Sequence, residues 1–106
     1  MWCVDPELLC RQHLLGEHNE LHKLVGSIRA GHSIDGYIER GQVETSRIQS
    51  RHDALAAELE RRGYSHDSPL SYSDALERGT VDVDANLEEL KSRCERCRER
   101  IDTRRS

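Results

Sequence analysis

The chain has 106 residues, enough for one hydrophobic core and too few for two. Hydrophobic residues make up 35% and charged ones 34%, with no Phe and two Pro, which calls for an aliphatic core and favours helices over a sheet. The formal charge of −4 excludes a wholly basic nucleic-acid-binding surface, and no apolar run approaches the roughly 18 residues a membrane span needs.

The N-terminus has no basic stretch followed by an apolar one, so no secretory signal is expected and the protein should be cytoplasmic. The charge is uneven. Residues 91–106 hold seven Lys or Arg against three acids, whereas residues 1–90 hold nine against seventeen. Any DNA contact must therefore be a patch. Four cysteines in an intracellular chain are expected as thiols or metal ligands rather than disulfides.

Taken in order, residues 1–5 form an arm. Asp5-Pro6-Glu7 then reads as a helix start: a capping carboxylate, Pro at the first helical position, and an acid in the first turn. The helix should run to about Ile28, with Leu14, Leu21, Leu24, Val25 and Ile28 at helical spacing. Gly16 interrupts it at a cost of about 1 kcal/mol against Ala. Residues 29–42 carry Gly31, Gly36 and Gly41 and read as a loop anchored by Ile34, Tyr37 and Ile38. A second helix is expected over 44–62, with Ile48, Leu55, Ala56 and Leu59 inward and Gly63 as its stop. Residues 64–79 form a connector around Ser68-Pro69, with one short helical turn over 73–76. A third helix over 83–101 carries Leu87, Leu90, Cys94, Cys97 and Ile101 as one stripe, and residues 103–106 fray. The expectation is an all-α single domain over residues 1–106, built of three main helices.

The densest polar cluster lies between Arg11 and Lys23. On a helix His13, Glu17 and Glu20 share one face, beside the apolar face of Leu14, Leu21, Leu24 and Val25. Periodicity alone leaves two readings: a solvated face, or carboxylates and an imidazole converging on a substrate.

Gln12-His13-Leu14, followed by Glu17 and by Glu20-Leu21, resembles the first-helix signature of the phage-type pyrimidine-dimer DNA glycosylase/AP lyase family. Arg51, Leu55, Glu58 and Arg62-Gly63-Tyr64 resemble that family's second-helix pattern, and the two matches fall in the right order over roughly residues 8–66. The resemblance implies an all-α domain and a DNA repair enzyme, phage-encoded or bacterial, acting without a diffusible cofactor. Its partner would be damaged double-stranded DNA, its state a monomer, with no membrane association.

A lyase of this kind needs an amine that attacks the sugar C1′, expels the base and forms an imine whose collapse breaks the strand. An ordinary lysine is neutral in fewer than about one molecule in a thousand at pH 7, whereas a chain α-amine is roughly 10–20% neutral. The family uses the N-terminal amine. Here Trp2 follows Met1, and Met is retained before a bulky residue, so the amine implied is that of Met1. The resemblance implies Glu20 as the carboxylate that stabilises the sugar cation and moves protons. It assigns Gln12, His13, Glu17 and Lys23 to the DNA-binding groove, with Asn19 where the family carries an Arg. Trp2 is read either as a lid on the core or as a group stacked beside an extruded base.

Cys94-Glu95-Arg96-Cys97 has the spacing of half a zinc site, which Cys3 and Cys10 could complete. Packing of the two late cysteines as small hydrophobes is the favoured reading, with zinc and then redox pairing as its alternatives. His52 and His66 are expected to cap or anchor loops. The Arg residues at 93, 96, 98, 100, 104 and 105 either complement a helix C-terminus or bind phosphates. The rival to the enzyme is a non-catalytic helical DNA- or protein-binding module with the same fold, held by zinc in one version.

Overall fold

A computed structural model describes residues 1–64, 69–73 and 77–105. The fold is all-α, with no strand among the described residues. Its helices are α1 (Arg11–Arg29), α2 (Asp35–Glu39), α3 (Ile48–Arg61), α4 (Val83–Arg93) and α5 (Glu95–Arg105), with 3-10 turns at Pro6–Leu8 and Thr45–Arg47. No described helix is long and apolar enough to cross a membrane.

The first expected helix starts late. Asp5 caps only the Pro6–Leu8 turn, accepting from the Glu7 N–H at 3.0 Å, and Leu9 is extended before α1 begins. Leu9 and Cys10 are both buried, and one continuous helix would set such neighbours about 100° apart around its axis. The extended link turns both inward. Arg62 fastens this link: its Nη2 donates to Leu9 O at 2.8 Å and to Pro6 O at 3.2 Å, where the Leu9 N–H also donates at 3.1 Å.

α1 packs against α3. Leu14, Leu21, Val25, Ile48, Leu55 and Leu59 fill the space between, each burial stabilising the fold by roughly 1.5–3 kcal/mol. The glycine-rich stretch is a loop with a five-residue helix in it; Ile34 is its buried anchor, while Tyr37 is exposed. The second helix is shortened by the Thr45–Arg47 turn.

The connector docks by its backbone. Gln49 on α3 donates to Leu70 O at 2.8 Å and accepts from Tyr72 N–H at 2.7 Å. Farther on, Thr45 N–H donates to Arg78 O at 2.9 Å, and Val81 N–H to Glu44 Oε1 at 2.9 Å. Gly79 makes this approach possible: it has φ +84°, and a Cβ there would lie 2.2 Å from Val43 O. The helical turn expected over 73–76, and His66, fall on or reach into positions outside the described residues.

The third expected helix is two. Cys94 is extended, with φ −131° and ψ 110°, and α5 leaves α4 there to lie on the Pro6–Leu8 turn. No Pro or Gly marks the break. Leu90, Cys97 and Ile101 remain buried, so the stripe was legible although its continuity was not. The tail expected to fray stays helical through Arg105.

Candidate active site

The arm is turned into the protein at Cys3, whose φ of +56° places a non-glycine residue in the left-handed region. Beyond this turn Val4 is buried and its carbonyl accepts from Arg51 Nη1. Asn86 on α4 donates Nδ2 to Trp2 O at 2.9 Å and Met1 O at 3.3 Å. The Met1 side chain is fully buried, and its Sδ accepts from Glu44 N–H at 3.5 Å.

So held, the Met1 amine donates to Glu20 Oε1 at 2.7 Å and to Gln42 O at 2.9 Å. Glu20 comes from α1 and its side chain is 53% exposed, so the carboxylate spans from buried amine to solvent. Two of the amine's tetrahedral directions are thereby occupied. In the neutral amine both remaining hydrogens can serve these acceptors, leaving the lone pair in a third direction.

Met1 and Glu20 border a cavity of about 970 Å³, near the top of the usual range for ligand pockets of roughly 300–1,000 Å³. Trp2, Asn19 and Lys23 line it, as do Tyr37 and Arg40 from the glycine-rich stretch and Asn86, Glu89 and Arg93 from α4. The Arg40 guanidinium lies over the Tyr37 ring, 5.5 Å from its centroid. Lys23, Arg40 and Arg93 thus set three cationic side chains around the cavity that holds the amine–carboxylate pair.

The sequence profile of the family described as pyrimidine dimer DNA glycosylase matches residues 1–72, two thirds of the chain. The chain belongs to this family. Comparison with curated proteins and with solved structures gives no match. The matched span of this pyrimidine dimer DNA glycosylase family member includes Met1, Glu20 and the glycine-rich wall; α4 and α5 lie beyond it.

Of the residues singled out from sequence, Met1, Trp2, Asn19, Glu20 and Lys23 come together at the cavity. Gln12 is exposed and does not line it. Glu17 points inward: only 2% exposed, it receives Arg51 Nε at 2.6 Å and Nη2 at 2.8 Å. His13 faces Cys10 and Cys97, with Nδ1 3.2 Å and 3.5 Å from their sulfurs, and meets the Trp2 ring edge-on. Trp2 packs on the core and borders the cavity at once. Of the Arg stretch, Arg93 reaches the cavity, while Arg100 and Arg104 bind Glu7 O and Asp5 Oδ2 on the 3-10 turn.

The second-helix signature turns out to be scaffold. Besides Arg51 on Glu17, Glu58 accepts from Arg61 Nε at 2.7 Å and Arg62 Nε at 2.7 Å. Hydrogen bonds from Arg61 outweigh the opposing effect of burial and, with Arg62, hold the Glu58 carboxyl below the usual glutamate range. Gln42, Arg40, Tyr37 and Asn86 were missed from sequence. Gln42 acts through its backbone carbonyl, Tyr37 is legible only as a loop anchor, and Arg40 and Asn86 stand on segments without a motif; Gly31, Gly36 and Gly41 mark the loop, and nothing marks Asn86.

Two further clusters emerge. Cys10, His13, Cys94 and Cys97 place their ligand atoms within 4.8 Å of one another, and so do His18, His22 and His52. Cys3, expected with the other cysteines, is absent from the first cluster and His13 takes its place, because the left-handed turn sends Cys3 toward Glu17 and Arg51. Burial, and then the Glu17 carboxylate, pushes the Cys3 thiol up. Burial pushes Cys97 up to about 12. Cys94 is held below the ordinary thiol value; burial opposes this, and donation from Cys97 N–H leads the effects that lower it. Burial, then the charge of Arg93, lowers His13 and favours the neutral imidazole. His52, expected as a loop anchor, lies on α3 beside His18 and His22, with ring centroids 5.0 Å away, tilted against the first and edge-on to the second.

Proposed function

We propose that this chain is a DNA glycosylase with associated AP lyase activity, in which the Met1 α-amine is the nucleophile and Glu20 its carboxylate partner. The observation that carries the reading is the 2.7 Å contact between the amine and Glu20 at the wall of a nucleotide-sized cavity. The substrate class is duplex DNA with a damaged base, a pyrimidine dimer first, as membership of the family supports.

Glu20 accepts a proton from the ammonium. The neutral amine attacks C1′, the N-glycosidic bond breaks with its electrons on the base, and the departing base takes up the proton held by Glu20, which restores the carboxylate. Opening of the sugar gives a protonated imine between Met1 N and C1′. A base removes a C2′ proton, and the C3′–O bond breaks with the electron pair leaving on the 3′ phosphate. Water then hydrolyses the imine and frees the amine. Glu20 stabilises positive charge first on the sugar and then on the imine. Gln42 O keeps the amine oriented, Trp2 supplies a stacking face, and Lys23, Arg40 and Arg93 receive phosphates.

Borohydride trapping on irradiated, abasic and undamaged duplexes tests this. A covalent adduct mapped by mass spectrometry to Met1 is expected on the damaged duplexes alone, and it should vanish when the amine is acetylated or extended by a tag. Absence of an adduct on every lesion, or undiminished trapping by the tagged chain, would overturn the reading.

A further inference from the structure

We infer that Cys10, His13, Cys94 and Cys97 are the four ligands of a structural zinc ion that joins the start of α1 to the junction of α4 and α5. This goes beyond the glycosylase reading and does not rest on it.

The donor set is three thiols and one imidazole, the chemistry of closed zinc sites. Its spacing is doubly regular: Cys10 and His13 are separated by two residues, and so are Cys94 and Cys97. Around a tetrahedral zinc, with Zn–S about 2.3 Å and Zn–N about 2.0–2.1 Å, sulfurs stand about 3.8 Å apart and sulfur–nitrogen pairs about 3.5 Å. Cys10 Sγ is 3.9 Å from Cys94 Sγ, and His13 Nδ1 is 3.2 Å from Cys10 Sγ and 3.5 Å from Cys97 Sγ. These three edges agree with such a tetrahedron to within about 0.3 Å, and all four ligand atoms lie within 4.8 Å of one another. Unconnected thiols packed as hydrophobes have no reason to take them together with an imidazole nitrogen.

The backbone around the cluster suits thiolates. Cys10 N–H points at Cys97 Sγ at 3.3 Å and Cys97 N–H at Cys94 Sγ at 3.5 Å. Both ligand pairs open a helix: Cys10 precedes α1 and Cys94 precedes α5, where the helix dipole favours negative charge. The extended residue at Cys94, which no Pro or Gly explains, is what lets its sulfur reach back over the first turn of α5.

The ion also answers a packing question. In α5 the buried hydrophobic residues are Cys97 and Ile101, a thin apolar anchor for an eleven-residue helix. Four protein ligands leave no open coordination position, and none of the four lines the cavity at Met1, so the ion is structural rather than catalytic. It braces that cavity indirectly: His13 touches Trp2, and the two late ligands fix the end of α4, which carries Asn86 and Arg93.

The full chain, purified with reductant and without chelator, should carry about one zinc per molecule by elemental analysis. Cobalt substituted into the unaltered chain should give a thiolate-to-cobalt charge-transfer band and the strong visible absorption of a tetrahedral site, readouts that need no variant to fold. In competition with a chromophoric chelator, His13→Ala and Cys97→Ser should each weaken metal binding by about tenfold or more, and Cys3→Ser should not. A chain that retains no zinc, cobalt without the thiolate band, or affinity that falls with Cys3→Ser but not with His13→Ala would overturn the inference.

Discussion

Arg51 on α3 grips Glu17 on α1 with a two-pronged hydrogen bond, Nε to Oε2 at 2.6 Å and Nη2 to Oε1 at 2.8 Å, and both side chains are nearly out of solvent. The third prong of the same guanidinium holds Val4 O in the N-terminal arm. One side chain thereby ties together the two main helices and the segment that delivers the amine.

Glu17→Gln leaves the Arg51 charge buried without its counter-ion. Unfolding free energy should drop by about 3–5 kcal/mol, read by urea denaturation. Glu20→Gln, one turn later and half exposed, should leave stability nearly intact and slow base excision by about a hundredfold or more. The two neighbouring carboxylates are thus distinguished by different instruments. Equal, mild effects on rate at both would return this helix face to scaffold.

Binding to duplex DNA should weaken with salt through the cavity-lining cations. The logarithmic salt slope should fall by about 0.9 for each phosphate contact removed, so replacing Lys23, Arg40 and Arg93 by Gln together should flatten it by between two and three. Arg100 and Arg104 are engaged on the 3-10 turn, and their replacement should change the slope little. Titrations at several salt concentrations separate the two sets.

Acid should loosen the contact between α3 and the Pro6–Leu8 turn. The Glu58 carboxyl is held low by Arg61 and Arg62 against the effect of burial. Its contribution to stability is therefore complete above the ordinary glutamate value of about 4.3 and is lost as pH falls through the lowered folded value. Melting temperature should decline over that acid range, and Glu58→Gln should flatten this part of the profile while lowering stability near neutrality.

Gly79→Ala tests the seat of the connector. Its Cβ would lie 2.2 Å from Val43 O on a backbone with φ +84°, so one of the two segments has to shift. A loss of about 1–3 kcal/mol is expected in chemical denaturation. Val43 follows Gln42, so slower imine trapping should accompany it.

Local chemistry was enough to read much of the chain. Leu14, Leu21, Leu55, Leu59 and Leu90 declared helical faces by their spacing, and the Gln12–Leu21 and Arg51–Tyr64 patterns resembled the family's. Glu20 and the terminal amine were named through that resemblance alone, since periodicity left the helix face open between a solvated surface and a substrate site. Side-chain direction was another matter. Glu17 and Glu20 are three residues apart and both acidic, yet one faces Arg51 inside and the other faces Met1 at the cavity. Only α3 packing against α1 decides which is which, since the partner lies 34 positions away. The same holds for Gln42, whose part is played by a carbonyl that every residue possesses, and for His13, which joins cysteines 84 positions distant at Cys97 rather than the polar face of its own helix. Periodicity encodes which residues lie inward, because burial depends on local spacing; what each inward group meets depends on chain crossings, and those exist only once the helices have packed.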